Sequence, residues 1–349
     1  MTADDEVPRP PTLEDVARVA GVSRATVSRV VNDTRNVDHR IREAVRAAVA
    51  QTGYVPNQAA RSLVTRRTGS VALVVSEAEH RTFDDPFLGR VFTDPFFGRV
   101  VSGIISVLRP RAVNLVLMLA ETADSRGQLL DYLRQGHVDG VMLISTHAED
   151  PLPQMLTESG LPTVLSRRPS TPIPISYVDI AQDTGAALAA DRLAERGCRQ
   201  VATISGPMDM PASQDRLRGF REAMARHGHA FVPSVEGNFT QDSGEQAMRE
   251  LLDRYPDLDG LFAANDLMAQ GALLALHDRG IAVPERVAVV GFDDSSAATA
   301  CRPPLTTVRQ PIEDMAAAMA DLLLAHIEEK RQRVTSRIFE PALVVRESA

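Results

Sequence analysis

In the run TLEDVARVAGVSRATVSRVVN, residues 12–32, Arg24, Ala25, Ser28 and Arg29 fall on the exposed side of a short helix while the valines at 27, 30 and 31 face inward. A guanidinium is a planar fork of donors that can reach O6 and N7 of one guanine together, a contact worth about 1–3 kcal/mol of discrimination between bases. Arg29 suits that chemistry best. Arg24 can do the same or hold a phosphate, and Ala25 offers only a methyl group, able to touch a thymine methyl or to specify nothing. Thr12, Thr26, Asn32 and Arg35 carry hydroxyl, amide and guanidinium donors of the kind that anchor a phosphate backbone. A helical bundle with solvated arginines uses the same residue types, so the surrounding elements have to decide.

A second set of candidates lies far downstream. Arg216 in PASQDRLRGF, Phe239 in EGNF, Asn265 and Asp266 in ANDLMAQGA and Asp293 in VGFDD all sit just after short apolar runs. Guanidinium, amide and carboxylate groups together suit the paired hydroxyls of a sugar or the edge of a base, while a Phe ring supplies an apolar face. A lone Asp after a strand is more often a helix cap than a ligand contact. The convergence of five such residues carries more weight than any one of them.

The elements that must position the first set are legible. Thr12 is a natural N-cap with Asp15 three positions on, Gly21 stops the first helix, Ser23 caps the second, and a third is predicted from about Asp38 to Thr52 before Gly53. The short turn between the first two helices is the spacing of a helix-turn-helix. Asn57 then caps a stretch running to Leu63 or Val64. A helix this short is marginal alone, which predicts either a hinge that orders against DNA and a second copy, with Leu63 as an apolar wedge for a base step, or a plain linker. Ser23, Tyr54 and Asn57 complete the residues expected at the duplex.

From Gly69 onward the runs SVALVV, NLVLMLA, GVMLIS, PTVLS, QVATIS, GLFAAN and RVAVVGF alternate with amphipathic segments such as GAALAADRLAERG. This predicts two parallel α/β lobes with a ligand cleft at the strand C-termini. The expected organisation is a disordered tail over 1–11, a helix-turn-helix DNA-binding domain over 12–56, a hinge helix and linker over 57–69, and an effector-binding and dimerisation domain over 70–349.

The overall charge of −8 hides an asymmetry, since residues 12–68 hold ten Arg against five acids and residues 69–349 carry a net −11. A basic module joined to an acidic body is the footprint of phosphate binding confined to one end. No apolar leader or membrane-length apolar stretch occurs, so the cytoplasm is the expected compartment. Cys198 and Cys301 are too few for a disulfide framework, and the eight His show no HExxH-type spacing, so neither a metal nor a cofactor is expected.

The runs LEDVARVAGVSRATVSRVVN and GYVPNQAARSL closely resemble the lactose/galactose repressor family of bacterial regulators, and the similarity continues through the chain. The resemblance implies an all-α helix-turn-helix head plus hinge helix, joined to an α/β two-lobed effector domain like a periplasmic binding protein. It implies a homodimer on a palindromic operator with a central CG step, released by a small-molecule effector, most commonly a sugar. A purine-like corepressor or dual activation and repression are the alternatives. Arg24, Ala25 and Arg29 match the family's base-reading positions, Arg35 a further DNA contact and Leu63 its intercalating leucine. Arg216, Phe239, Asn265, Asp266 and Asp293 match effector contacts, with Phe96, Phe97, Ser145 and Arg168 as further ones.

Two departures stand out. Ala181 and Gln182 precede Gly185 where the family often has Asp-Asn, so a polar contact is expected to be lost. DPFLGRVF at 85–92 is followed by DPFFGRVV at 94–101, a near-repeat whose second copy brings Phe96 and Phe97 to the cleft mouth and whose first copy is either a lid or plain surface. The absence of a GxSxG elbow, a P-loop or clustered metal ligands argues against an enzyme. A basic N-terminal module without an apolar leader argues against a solute receptor, and the absence of a leucine heptad extension after ALVVRESA favours a dimer over a tetramer.

Overall fold

The computed structural model describes residues 9–31, 37–55, 67–77, 87–329 and 333–349. The chain divides into two compact units, Met1–Thr68 and Gly69–Ala349. Asn32, Arg35, Asn57 and Leu63, with the expected hinge helix, lie outside the described residues, as does most of the expected tail.

In the first unit, α1 (Leu13–Ala20), α2 (Arg24–Val31) and α3 (His39–Thr52) close around Val16, Val27, Val30, Val45 and Ala48. The termini form for identifiable reasons. Thr12 and Asp15 make a reciprocal capping box, with the Thr12 amide donating to Asp15 Oδ2 at 3.0 Å, and Gly21 ends α1 at φ 65°, a conformation that costs a β-carbon dearly. Ser23 Oγ accepts from the Thr26 amide at 3.1 Å, which starts α2.

The second unit has two six-stranded sheets. In lobe 1, β1 (Ser70–Ser76), β2 (Asn114–Ala120), β3 (Val141–Ser145), β4 (Thr163–Leu165), β5 (Ser176–Ile180) and β11 (Ser336–Phe339) pair in the order β11-β5-β4-β3-β1-β2, all parallel. In lobe 2, β6 (Val201–Ser205), β7 (Ser234–Glu236), β8 (Gly260–Ala263), β9 (Ala288–Asp293), β10 (Thr306–Arg309) and β12 (Ala342–Val344) pair in the order β12-β10-β9-β8-β6-β7, with only β12 antiparallel.

Helices alternate with these strands: α4 (Phe87–Thr93), α5 (Pro95–Leu108), α6 (Ala123–Arg134), α7 (Leu152–Ser159), α8 (Gln182–Glu195), α9 (Pro211–Arg226), α10 (Gln241–Arg254), α11 (Asp266–Asp278), α12 (Ser296–Ala300) and α13 (Ile312–Glu328). Each lobe therefore buries its strands between helical layers, which is why the strand runs read as nearly continuous apolar segments. The chain passes between lobes three times: from β5 into α8, from β10 into α13, and from β11 into β12. Gln182 and Gln310 sit at two of those crossings.

Candidate functional site

On the first unit, Arg24, Ala25 and Arg29 are exposed along α2, while Val27 and Val30 are buried beneath them. Arg24 Nε lies 3.1 Å from Glu14 on α1, which orients it, whereas Arg29 projects from the last turn. Ser28 and Thr26 are half-buried, with Thr26 Oγ1 2.9 Å from Ser23 Oγ. Thr12 is engaged in the α1 cap, and Tyr54 packs against the valine core. The exposed face of α2 is thus a cationic surface on a rigid three-helix support.

Between the two sheets of the second unit lies a cleft of about 460 Å³, within the usual range for small-molecule sites. Phe96, Phe97, Ser145, Arg216, Phe239, Asn265 and Asp293 all line it. Phe96 and Phe97, at the start of α5, meet edge to face with ring centroids 5.3 Å apart. Asn265 caps α11 through the Met268 amide at 2.9 Å and donates from Nδ2 to the Phe239 carbonyl at 3.0 Å. Phe239 at φ 67° and Asp293 at φ 111° hold left-handed backbone conformations unusual for their residue types, and such strain collects at binding sites.

Arg216 is the best-supported polar group in the cleft. Its Nε donates to Gln182 Oε1 at 2.7 Å, its Nη1 donates to the Ala264 carbonyl at 2.5 Å and lies 3.6 Å from Asp293 Oδ1, and its plane stacks on Phe292. Gln310 Nε2 donates to Asp293 Oδ1. Burial pushes the Asp293 carboxyl up, and Arg216, Gln310 and Arg99 pull it back. Arg99 of lobe 1 donates to the Asp293 carbonyl at 2.8 Å while its other nitrogens grip Glu313 at 2.7 and 2.8 Å. The end of β9 is therefore tied to a lobe 1 helix.

Two of the expected residues lie elsewhere. Asp266 opens α11 but turns inward, accepting from Thr307 Oγ1 at 2.5 Å and from the Ser295 amide at 2.7 Å, and does not line the cleft. Burial, aided by the Asp293 charge, raises its carboxyl to about 8. Arg168 is exposed and lines a small neighbouring cavity, while its amide donates to Asp179 Oδ2 at 3.0 Å. One residue earlier the chain faces the other way, so Arg167 reaches the cleft instead.

Residue types alone did not reveal Asp94, Asp179, Gln182 or Gln310 as cleft residues. Gln182 stood out only as a departure, and it supplies the polar contact whose loss was expected. Asp94 begins the second copy of the repeat and caps α5 through the Phe96 amide at 2.9 Å. Burial and the Asp293 charge raise its carboxyl to about 7. From the first copy Val91 lines the cleft and Phe92 is exposed, and Thr93, between the copies, lines the cleft too.

Comparison with known proteins matches residues 12–57 to the lacI family of bacterial regulatory proteins and residues 190–349 to a periplasmic binding protein-like domain. The HTH-type transcriptional regulator CelR of Thermobifida fusca is 47% identical over 97% of this chain and 98% of its own length. The chain belongs to the LacI family. The ribose operon repressor of Escherichia coli K12, another relative, is 32% identical over 97% of this chain and 99% of its own.

Among solved structures, a CelR–cellobiose complex is 45% identical with a TM-score of 0.75, covering 97% of this chain and 100% of that one. The lac repressor dimer bound to operator and the anti-inducer ONPF is 26% identical with a TM-score of 0.82, covering 97% and 99%. The LacI-family head and two-sheet body are thus both present, and the protein is a DNA-binding regulator of transcription rather than an enzyme. Among the described residues no helix is long and apolar enough to cross a membrane.

Proposed function

We propose that the protein is a cytoplasmic repressor that binds a palindromic operator as a homodimer and is released when a sugar, cellobiose or a closely related disaccharide, fills the cleft. The observation that carries the sugar reading is the pairing of the Arg216–Asp293–Gln182 cluster with Phe96, Phe97 and Phe239 around a single cavity, polar groups for ring hydroxyls and aromatic faces for ring carbons. The complex of CelR with cellobiose supports the disaccharide assignment.

Arg29, Arg24 and Ser28 face the bases, Ala25 leaves its position open, Thr12, Thr26, Asn32 and Arg35 hold the backbone, Ser23, Tyr54 and Asn57 complete the duplex contacts, and Leu63 is the apolar wedge at a base step. Leu117 on the edge strand β2 and Leu274 on α11, 40% and 41% exposed, supply apolar surface for a second copy. The cleft residues act on DNA through the lobes: the effector favours one arrangement of the three crossings over another, and the difference in its affinity for the two is the coupling.

The test is operator selection from a random DNA library, followed by titration of the selected site with cellobiose, ribose and hypoxanthine. A palindrome released by cellobiose is expected. Binding strengthened by hypoxanthine would replace the reading with corepression, and no enriched sequence would overturn it.

A further inference from the structure

His147 follows β3 in lobe 1, is 6% exposed, and stands between two carboxylates that belong to different lobes. Its Nε2 meets Oε1 of Glu77, the buried residue after β1, and Thr146 Oγ1 donates to the same oxygen at 3.2 Å. Its Nδ1 lies 3.2 Å from Oδ2 of Asp209, in the lobe 2 loop between β6 and α9. That loop is held to its own lobe, because the Met208 amide donates to Glu236 Oε1 at 3.0 Å and Gln214 Nε2 donates to the Met208 carbonyl at 2.7 Å. Parting the lobes therefore parts Asp209 from the ring. Nδ1 is buried and forms no aligned hydrogen bond, so its attraction to Asp209 depends on the charge of the ring. A neutral imidazole carries one N–H and one lone pair, and with Nε2–H on Glu77 the lone pair of Nδ1 would face a carboxylate oxygen. Only the imidazolium presents N–H groups toward both. Among the described residues, the other charged groups beside the ring are Asp150, Arg167 and Arg168, which line a small side cavity with it, and Glu149, exposed two positions on.

We propose that Glu77, His147 and Asp209 form a proton-dependent latch between the lobes, closed by the imidazolium and released by the neutral ring. Neither His147 nor Asp209 lines the cleft, but Glu77, Thr146 and Met210 beside them do, so the latch stands at the cleft rim and favours the lobe arrangement that encloses the effector. Proton and effector then favour one arrangement, and each strengthens the binding of the other. This rests on the reading of the effector as a sugar that fills the cleft, and a neutral sugar adds no titration of its own. Asp209 is 52% exposed, so solvent and salt screen the pair and the coupling is small.

The test is calorimetric titration of the full-length protein with cellobiose between about pH 6 and about pH 8.5, in paired buffers of different ionisation enthalpy, for the wild type, Asp209→Asn and His147→Gln, the last keeping a donor for Glu77. The wild type is expected to take up more protons on binding than either variant, and to lose about 2- to 5-fold more affinity across that range, a difference that shrinks in high salt. The cleft carboxyls Asp94 and Asp293 are present in all three proteins, so the comparison removes their share. Without sugar, Asp209→Asn should melt below the wild type at the lower pH and level with it at the higher. Superimposed pH profiles with a Tm difference independent of pH overturn the latch. So does a pH response lost in His147→Gln and kept in Asp209→Asn, which would confine the titration to lobe 1. A wild type that grips operator but binds no cellobiose overturns the sugar reading, and the sugar-free Tm difference then decides the latch by itself.

Discussion

The guanidinium carbon of Arg216 lies 3.8 Å from the centroid of the Phe292 ring, so a buried cation rests on an aromatic face while its nitrogens serve Gln182, Ala264 and Asp293. Removing one member of such a pair strands the other charge, at about 3–5 kcal/mol. Arg216→Met should therefore lower Tm more than Arg216→Met with Asp293→Asn, because Asn carries no charge and tolerates the positive φ at that position. Both variants should keep operator binding and lose the response to effector. Thermal melts with operator titrations check this, and a double variant less stable than the single one contradicts it.

The raised carboxyls of Asp94, about 7, and Asp266, about 8, make stability pH-dependent in a defined direction. Between the ordinary carboxylate range and these values the folded chain keeps protons that the unfolded chain has released. Stability should thus fall as pH rises from about 4 to about 8 on account of these groups. Asp94→Asn, which preserves the α5 cap, should flatten part of that slope and be more stable than wild type above pH 7. Tm measured across this pH range decides, and an unchanged slope removes Asp94 from the account.

Arg29→Ala should relax one base position in each half-site, at about 1–3 kcal/mol, without weakening binding to other sequences equally. Repeating operator selection with the variant measures it. A uniform loss over all sequences would make Arg29 a phosphate contact.

A β-carbon at Gly206 would meet the Phe239 ring and Ser213 Oγ too closely for either to stay in place. Gly206→Ala should push Phe239 further into the cleft, lowering sugar affinity roughly tenfold with little effect on operator binding, since overpacking of this kind costs about 1–3 kcal/mol. Calorimetry beside an operator titration separates the two effects.

Much of this was legible in the chain because local signals and packing agreed. The capping box at Thr12, the stop at Gly21 and the apolar strand runs all act within a few residues, and they placed α1 to α3 and seven of the strands. β10 was not read because Thr306 and Thr307 look like surface residues, yet both are fully buried with hydroxyls matched by Ala349 and Asp266. β5 carries Asp179 inside a buried sheet, and β7, β11 and β12 are short strands lying at sheet edges. For the cleft, strand ends pointed to Arg216, Phe239 and Asp293, but facing direction in a loop has no period, so Arg168 was preferred to its neighbour Arg167. Gln182 and Gln310 belong to interlobe crossings, whose contacts exist only after both lobes have formed.

The triple crossing also governs how the protein is made. Lobe 1 starts with β1, yet its core waits for Ile312, Met319, Leu322 and Leu323 of α13 and its sheet for β11 at Ser336–Phe339, all translated after most of lobe 2. At about 5–20 residues per second, a ribosome needs roughly 8–30 s to travel from the end of β5 to β11. Throughout that interval the edge of β5 and the apolar surface awaiting α13 are uncovered on the nascent chain. The lobe that begins first is closed only near the end of the chain, which makes its half-built sheet a long-lived stage of synthesis open to a chaperone or to a neighbouring nascent chain.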